Sequence, residues 1–350
     1  MSIRVLVVDD SALIREVLCS TLAKDGDIEV VGTAEDPLIA RRKIKELNPD
    51  VVTLDIEMPN MNGLEFLSKL MRLRPTPVVM VSTLTQKGAN ETMLALELGA
   101  VDFVAKPGHD LAGGLDRFGA DLRNKVRAAA QSDVRGRAMR ASAPALRKVA
   151  TIARPASGAL IAIGASTGGV DAVNAVLKRL PDNCPPVVVT QHMPPDFTER
   201  FAHRLNEQLD LNVFEAADRM SLHAGCVYIA KGGFHLSVER SSGEYKCRLS
   251  NDDLVSGHRP SVDVMFTSVA KVVGKNAVGA ILTGMGRDGA KGLKLMREAG
   301  SYTIGQNKGS ALVYGMPRAA MEVGALVEEA AVEDIAARLI NGLVKSKSAA

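Results

Sequence analysis

Short apolar segments alternate with amphipathic helical segments through the first 130 residues, and this alternation strongly restricts how the chain can fold. The strands are predicted at Ile3–Val8, Glu29–Thr33, Val51–Leu54, Pro77–Ser82 and Val101–Ala105, and the helices at Ala12–Ala23, Pro37–Leu47, Gly63–Leu73, about Gly88–Leu98 and about Leu115–Ala130. Five strand–helix units in succession predict an α/β domain whose parallel sheet carries helices on both faces. We expect a doubly wound, flavodoxin-like domain.

A second α/β pattern follows a change of composition. The 350 residues are more than one small core needs. The stretch 133–158 is rich in Arg, Ala, Ser and Pro, which favours a solvated linker. Parallel strands are predicted from Leu160 and at Val187–Thr190, Val278–Leu282 and Tyr302–Gly305, and antiparallel strands at Cys226–Ala230, His235–Glu239 and Tyr245–Leu249. We therefore predict one domain at 1–120, a helical extension and basic linker at 121–157, and a Rossmann-like domain with a small antiparallel insertion at 158–345.

Composition narrows the classes of function. The net charge is only +3, aromatic residues make up 3% and Trp is absent, so the chain offers no stacking surface for nucleic acid. The four cysteines lie far apart without a C-x-x-C pair, which is typical of reduced thiols rather than of disulfides or zinc ligands. The first ten residues are too short and too acidic for a signal peptide. We expect a cytoplasmic monomer that binds no nucleic acid.

Three aspartates end neighbouring strands of the first predicted sheet. Asp9 and Asp10 follow the first strand and Asp55 ends the third, so their carboxylates should meet at the crevice where such sheets bind ligands. Converging carboxylates repel one another, and a hard cation such as Mg²⁺ relieves the repulsion. Lys106 follows the fifth strand and could neutralise a phosphoryl oxygen, while Ser82 could offer a hydroxyl. The alternative for a single aspartate, such as Asp10, is a helix N-cap.

Four motifs carry a resemblance: Val8-Asp9-Asp10-Ser11, Leu54-Asp55-Ile56-Glu57-Met58-Pro59, Val81-Ser82-Thr83 and Phe103-Val104-Ala105-Lys106-Pro107. Through them, nearly all of residues 1–120 resembles a receiver domain of bacterial two-component signalling. The resemblance implies phosphoryl transfer from a histidine kinase to Asp55, and Ser82 with Phe103 as the switch pair. It also implies Mg²⁺ bound by Asp10, Asp55 and the Glu57 carbonyl, with Asp9 assisting.

A serine occupies a strand-to-helix turn at the start of the second domain. The strand Ala159–Ile163 leads into Gly164-Ala165-Ser166-Thr167-Gly168-Gly169, where a side chain is lifted above the sheet edge beside backbone N–H groups. His192 ends the next predicted strand, so it should lie within reach as a general base. Asp288 follows a later strand and could orient the imidazole, with Asp263 as the rival acid. The bland interpretation of Asp288 is a turn aspartate.

The turn alone does not decide between two kinds of site. Its sequence fits the G-x-S-x-G elbow of α/β-hydrolases, although the order here is Ser, His, Asp rather than Ser, acid, His. A glycine-rich turn of this kind also suits phosphate binding at a helix N-terminus. His192 and Asp288 at strand ends favour the hydrolase. The remaining histidines are interpreted as structural: His109, His203, His223, His235 and His258.

Longer motifs in the second domain carry a second resemblance: Ile163-Gly164-Ala165-Ser166-Thr167-Gly168-Gly169, Gln191-His192-Met193-Pro194, His258-Arg259-Pro260-Ser261-Val262-Asp263 and Leu282-Thr283-Gly284-Met285-Gly286-Arg287-Asp288-Gly289. Through them, residues 158–345 resemble the catalytic domain of chemotaxis protein-glutamate methylesterases, the CheB family. The resemblance implies a serine esterase, without a cofactor, that hydrolyses glutamate γ-methyl esters on chemoreceptors and deamidates receptor glutamines. It implies Ser166 as nucleophile, His192 as base and Asp288 as its orienter, with Met285 and Thr167 supporting the oxyanion.

Two other classes of function remain as alternatives. The second domain could bind a ligand or nucleotide through Gly164–Gly169 without catalysis, as the output domain of a response regulator. A DNA-binding regulator that uses the basic linker is disfavoured, because no helix-turn-helix pattern follows the first domain. The expected partners are chemoreceptors and a histidine kinase, and membranes are reached only through the receptors.

Overall fold

The computed structural model describes residues 2–58, 61–82, 86–106, 114–134, 136 and 158–348. Contacts divide the chain into two compact units, Met1–Ala143 and Pro144–Ala350. The predicted basic linker lies mostly outside the described residues. The domain limits at 120 and 158 therefore stay predictions.

The first unit contains a five-stranded parallel sheet in the order β2-β1-β3-β4-β5. Its strands are β1 (Ile3–Val8), β2 (Ile28–Ala34), β3 (Val51–Asp55), β4 (Val78–Ser82) and β5 (Asp102–Ala105), and its helices are α1 (Ala12–Leu22), α2 (Pro37–Leu47), α3 (Gly63–Leu73), α4 (Gln86–Glu97) and α5 (Gly114–Ala130). Every residue of β3 and β4 is buried, as expected for central strands covered on both faces. The predicted α/β fold class is confirmed for this unit.

Helix starts in this unit follow local capping chemistry. The Asp36 carboxylate accepts a hydrogen bond from the Ile39 N–H, and Pro37 occupies the first helical turn of α2. Ser11 is the N-cap of α1 and accepts a hydrogen bond from the Ile14 N–H. Asp10 is therefore not the cap of this helix.

The second unit is built on a seven-stranded sheet in the order β14-β13-β12-β6-β7-β9-β8, together with the two-stranded sheet β10-β11. The strands are β6 (Leu160–Ala165), β7 (Val187–Gln191), β8 (Asn212–Glu215), β9 (Cys226–Ile229), β10 (His235–Ser241), β11 (Glu244–Ser250), β12 (Ala277–Ile281), β13 (Tyr302–Gln306) and β14 (Glu328–Ala330). The helices are α6 (Gly169–Leu177), α7 (Phe197–Gln208), α8 (Val262–Val272), α9 (Ala290–Glu298), α10 (Met316–Glu322) and α11 (Val332–Ser348).

One strand assignment was wrong. Cys226–Ala230 was predicted to be antiparallel, but the observed strand Cys226–Ile229 pairs in parallel with both β7 and β8 in the main sheet. Three of its four residues are buried, because the strand lies inside the sheet. Of the three strands predicted to be antiparallel, β10 and β11 form a hairpin, with His235 opposite Ser250.

The sheet order places β6 between β7 and β12, with parallel pairing on both sides. The chain passes from β6 to β7 on one side and returns to β12 on the other, so the sheet reverses its winding at β6. Ligand sites of open α/β sheets lie at the carboxyl ends of the strands at such a reversal. Within the described parts of the chain, no helix is both long and apolar enough to cross a membrane.

Candidate functional site

Ser166 lies directly after β6, on the turn that leads into α6. Its N–H donates to the Thr283 carbonyl at 3.0 Å, which ties the turn to the chain following β12. Gly168 is the N-cap of α6 and has φ +75°, a backbone conformation that side-chain-bearing residues rarely adopt. The tight turn leaves Ser166 half-buried at the sheet edge.

His192 follows β7, the neighbour of β6, as the sequence predicted. Ala165 and Gln191 are paired across the two strands, and the His192 N–H donates to the Ala165 carbonyl at 3.2 Å. This backbone register brings the imidazole Nδ1 to 3.2 Å from the Ser166 Oγ. Adjacent parallel strands thus place the two side chains in hydrogen-bonding contact.

Asp288 reaches the same imidazole from the other side of β6. It lies in the loop between β12 and α9, and its Oδ2 is 2.7 Å from His192 Nε2. The side chains of His192 and Asp288 are only 7% and 2% exposed. A carboxylate accepts hydrogen bonds, so Nε2 carries the proton and Nδ1 presents its lone pair to the Ser166 hydroxyl. The three residues form one hydrogen-bonded row.

The start of α8 supplies Asp288 with three further donors. Ser261 Oγ and the Val262 N–H each donate to its carboxylate at 2.7 Å, and the Asp263 N–H donates at 3.1 Å. Burial by itself would raise the pKa of Asp288, but the hydrogen bonds from His192, Ser261 and Val262 outweigh it and lower the pKa to about 2. Asp288 therefore remains ionised beside the imidazole.

Asp263, the rival acid, has a different partner. It lies in the first turn of α8, and its Oδ1 accepts a hydrogen bond from the Gly292 N–H of α9 at 2.7 Å. Among the contacts of the described residues, none joins it to His192. Burial raises the pKa of the Asp263 carboxyl.

The chain after β12 runs against the serine. A Cβ built on Gly284 would lie 2.7 Å from the Ser166 Cβ, so only glycine permits this approach. Thr283 Oγ1 donates to the buried Thr167 carbonyl at 3.0 Å and fastens the two turns together. The N–H of Met285, the residue after Gly284, donates no hydrogen bond within the described part of the chain.

Three residues near the serine were not assigned a role from the sequence. Gln191 Nε2 donates to the carbonyls of Ser166 and His192 at 3.0 and 3.2 Å and so links their turns. Ser261 contacts Asp288, as described above. His258 was interpreted as structural, yet its ring is stacked on His192 with centroids 3.7 Å apart and planes 11° from parallel. Gln191 lies in the motif Gln191–Pro194, and His258 and Ser261 lie in the motif His258–Asp263. Membership of these motifs was the sequence signal that could have identified them.

The other histidines lie elsewhere. His203 is exposed on α7, and His223 lies in the segment before β9. His235 is buried, with Nδ1 accepting from the Ser261 N–H and Nε2 donating to the Asp253 carbonyl. His109 lies outside the described residues.

In the first unit, three carboxylates converge as predicted. Oxygen atoms of Asp9, Asp10 and Asp55 lie within 4.8 Å of one another at the carboxyl ends of β1 and β3. Asp9 and Asp55 are buried, whereas Asp10 is exposed. Glu57 follows Asp55 by two residues and is exposed.

One lysine partly balances this acidic cluster. Lys106 Nζ lies 2.9 Å from both Asp9 Oδ2 and Asp55 Oδ2. Burial raises the pKa of Asp55 to about 6, with Asp9 adding to the rise and Lys106 opposing it. Three carboxylates against one ammonium leave a set of hard oxygen donors, and such a set fits a small divalent cation.

The predicted switch residues lie on the two strands beyond β3. Ser82, at the end of β4, is buried, and its Oγ donates to the Gly88 carbonyl at 3.3 Å. The Ser82 carbonyl accepts a hydrogen bond from the Lys106 N–H at 2.7 Å. Phe103 on β5 is buried, with the Lys125 ammonium 5.0 Å from its ring centroid.

Comparison with known proteins covers both units. Residues 161–339 match the sequence model of a family described as CheB methylesterase, and residues 5–112 match that of the response regulator receiver domain. The chain is 55% identical over 342 residues to protein-glutamate methylesterase/protein-glutamine glutaminase 1 of Caulobacter vibrioides, covering 97% of each chain. It is 51% identical over 351 residues to the protein of the same name from Albidiferax ferrireducens, covering 97% of this chain and 93% of that one.

A solved structure resembles the second unit. The Thermotoga maritima CheB methylesterase catalytic domain is 37% identical and has a TM-score of 0.52. The match covers 53% of this chain and 98% of that domain. The similarity therefore spans a whole catalytic domain of known fold.

Proposed function

The chain belongs to the CheB methylesterase family, and on that premise we propose that Ser166, His192 and Asp288 are its catalytic residues. The protein is a protein-glutamate methylesterase/protein-glutamine glutaminase, a hydrolase whose receiver domain brings it under control by phosphorylation. The observation that carries the assignment of residues is the continuous row from the serine hydroxyl through the imidazole to the buried carboxylate, with contacts of 3.2 and 2.7 Å.

The row supports acyl transfer by a serine nucleophile. Ser166 Oγ attacks the ester carbonyl carbon while its proton passes to His192 Nδ1. The same proton then leaves with the alkoxide as methanol, and a glutamyl ester of Ser166 remains. Water attacks this acyl carbon and gives one proton to His192, which passes it to the departing Ser166 oxygen and restores the hydroxyl. The glutamic acid formed then loses its remaining proton to solvent and leaves as the carboxylate.

Asp288 serves this cycle without taking up or releasing a proton. Its lowered pKa keeps the carboxylate charged, so it holds the proton on Nε2 and stabilises the imidazolium that forms when Nδ1 is protonated. The donors from the start of α8 fix the carboxylate before substrate arrives, which avoids reorganisation during the reaction.

We propose that Met285 and Thr167 support the oxyanion that develops during the reaction. We assign the Met285 N–H as a donor, because it follows the glycine that lies against Ser166 and has no described acceptor of its own. Thr167 supports it, since its carbonyl is tied to Thr283 and its position is thereby fixed.

The same route accounts for deamidation of glutamine. An amide carbonyl accepts the serine in the same geometry, and His192 then protonates the leaving nitrogen so that ammonia departs instead of methanol. No cofactor is required for either reaction.

In the receiver domain, we propose Asp55 as the residue that accepts the phosphoryl group from a kinase. Asp10, Asp55 and the Glu57 carbonyl would hold Mg²⁺, with Asp9 assisting, and the cation would neutralise charge on the phosphoryl oxygens. Lys106 contacts Asp9 and Asp55 and would pair with a phosphoryl oxygen. Ser82 and Phe103 would transmit the change through β4 and β5.

The remaining assignments concern the setting of the enzyme. A receiver domain and a CheB-family esterase together imply a kinase as phosphodonor and chemoreceptors as substrate. We propose that the protein acts as a cytoplasmic monomer, meets the membrane only through receptors and binds no nucleic acid. The weak net charge of +3 supports the last point.

Methanol release from methylated receptor membranes tests the assignment of the nucleophile. The native protein should release methanol and the Ser166→Ala variant should be about 10⁴-fold slower, since no other group in the row can form the acyl bond. Ser310→Ala, a substitution of a partly buried serine in the turn after β13, serves as a matched control. Near-native turnover by Ser166→Ala would show that hydrolysis does not pass through this serine.

A further inference from the structure

We propose that His258 is a positioning residue for the hydrolytic reaction: its ring holds the imidazole of His192 face to face in the orientation that serves Ser166. This inference rests on the proposed function of Ser166 and His192. The two rings lie 3.7 Å apart with an angle of 11° between their planes, which is full van der Waals contact over the ring faces.

The hydrogen bonds of His192 leave one motion of its ring unrestrained. Contacts at Nδ1 and Nε2 lie on opposite sides of the imidazole and define a line through the ring. Tilting about that line keeps both nitrogens near their partners while turning the lone pair of Nδ1 away from the best angle. A flat group packed against one face opposes this tilt.

The need for that support is greatest halfway through the reaction. Once Ser166 is acylated, its oxygen no longer carries a proton to donate to Nδ1, and the ring keeps only the Asp288 hydrogen bond and the stacked ring. At this stage His192 must activate water. We therefore expect loss of the stack to slow hydrolysis of the acyl-enzyme more than its formation.

His258 is itself held in place by a tight turn. The N–H and carbonyl groups of Val255 and His258 bond to each other at 3.2 and 3.0 Å, and the two residues between them, Ser256 and Gly257, have φ of +54° and +80°. Positive φ at both central positions characterises a type I′ hairpin turn. The turn ends at His258 and restricts where its ring can lie.

Side chains fasten the rest of this segment to the unit. Arg259 Nη1 donates to the carbonyls of Asn251 and Asp252 at 2.7 and 2.9 Å. His235 Nε2 donates to the Asp253 carbonyl at 2.9 Å. The turn that carries His258 is therefore anchored on the side that precedes it.

The same segment also reaches Asp288. Two residues after Arg259, Ser261 donates to the Asp288 carboxylate, and the following N–H groups of α8 do the same. One stretch of chain thus contacts the face of His192 through His258 and the acid of His192 through Ser261. The same contacts therefore restrict the position of the His258 ring, although His258 is not part of the hydrogen-bonded row.

The experiment compares three substitutions of His258 in the full-length protein on methylated receptor membranes. His258→Phe keeps a flat ring without polar atoms, His258→Gln keeps polarity without a ring, and His258→Ala removes both. We expect His258→Ala and His258→Gln to lower kcat about tenfold, which corresponds to about 1.4 kcal/mol, and His258→Phe to remain within about threefold of the native rate. KM should change little.

A second measurement identifies which step of the reaction is slowed. Quenched reactions of His258→Ala should contain more of the covalent receptor–enzyme ester than native reactions, because its hydrolysis is slowed. His258→Phe should not accumulate this ester. A purely structural defect would lower the amount of active enzyme without increasing the fraction trapped as ester, and circular dichroism with thermal unfolding checks that each variant is folded.

Two controls separate this inference from the proposed function. Ser166→Ala should form no covalent ester, and if it retains turnover the proposed function fails whatever the His258 variants do. His203→Ala, an exposed histidine on α7, should behave as the native protein. The inference is overturned if His258→Ala matches the native kcat, if His258→Gln is active while folded His258→Phe is not, or if Ala and Phe are equally slow.

Discussion

The two units carry acidic sites at the same place in the same kind of sheet, yet their charges are arranged in opposite ways. In the first unit, three carboxylates converge and one lysine contacts two of them, and burial raises the pKa of Asp55 to about 6. In the second, one carboxylate receives four hydrogen bonds, and despite its burial the pKa of Asp288 falls to about 2.

The opposite pKa shifts of Asp55 and Asp288 reflect how many hydrogen-bond donors each carboxylate already has. On the proposed roles, a cation and a phosphoryl group bind at the carboxylates that have too few donors, so the state of that site can change with its ligands. A carboxylate with a full set of donors is already arranged for its task, and its environment need not move during the reaction. The fold therefore places both sites at the carboxyl ends of parallel strands. The number of hydrogen-bond donors around the carboxylates decides whether a site changes with its ligands or is preorganised.

Removal of divalent cations should separate the two sites completely. With a small phosphodonor, labelling of Asp55 should be lost in the presence of a chelator, because the carboxylate cluster alone cannot accept a phosphoryl group. Basal methanol release, measured without phosphodonor in the same samples, should not change. Asp55→Asn should not be labelled, and Asp116→Asn, which alters an exposed aspartate of α5, should be labelled normally. Labelling of Asp55 that persists in the presence of a chelator would show that the first site does not depend on a divalent cation.

Removal of two members of the catalytic row should show that it acts as a unit. Ser166→Ala and His192→Ala should each lower methanol release by about 10⁴-fold, and the double variant should lose little more, since nucleophile and base are useless without each other. Turnover of all three variants is measured on the same receptor membranes. Multiplicative losses in the double variant would mean that the two residues act independently.

Replacement of the acid should distinguish Asp288 from Asp263. Asp288→Asn should reduce methanol release by about 10³-fold to 10⁴-fold, because an amide can no longer hold the imidazole in the required tautomer. Asp263→Asn keeps an oxygen for the Gly292 N–H and should cost less than about threefold. The reverse order of effects would assign the acid to Asp263.

The smallest expected effect is on stability in acid. The pKa of Asp288 is lowered in the folded chain, so its stabilising contribution is complete above about pH 4 and is lost as the pH falls toward 2. The shift corresponds to about 2 kcal/mol in total, roughly half of it lost by pH 3. The free energy of unfolding of the native protein, measured with denaturant, should therefore exceed that of Asp288→Asn by less at pH 3 than at pH 6.

Asp263→Asn provides the opposite control for that measurement. Burial raises the pKa of Asp263, so its contribution to stability is present at low pH and declines as the pH rises through the folded value. The native protein should therefore gain stability relative to Asp263→Asn as the pH is lowered. Parallel changes in the two variants would mean that the pH effect arises elsewhere.

Sequence reasoning succeeded where the information is local. Most strands of the two parallel sheets were recognised from apolar runs of strand length, and Ser166, His192 and Asp288 were selected because each follows such a run. Parallel strands align their carboxyl ends, so these positions meet without any knowledge of side-chain packing. The converging aspartates of the first unit follow the same logic.

What sequence reasoning missed depends on contacts between distant segments. Strand β9 is parallel because it enters the main sheet between β7 and β8, and its alternation of residues carries no sign of direction. The edge strands β8 and β14, of four and three residues, were not predicted from the sequence. The stack of His258 on His192 depends on the turn that holds His258, and the use of Nδ1 rather than Nε2 toward Ser166 depends on the orientation of the ring.

The position of β12 beside β6 also determines when the central sheet can be completed during synthesis of the chain. Strand β6 gains its neighbour β7 early in synthesis, but its other edge stays open until residues 277–281 leave the ribosome. Asp288 joins His192 across 96 positions of sequence, so a nascent chain that stops short of it carries the serine and the histidine without their acid. Such long-range parallel pairing forms slowly and leaves an exposed strand edge in the meantime. On the proposed assignment of the acid, hydrolytic activity is therefore withheld until the chain extends past Asp288.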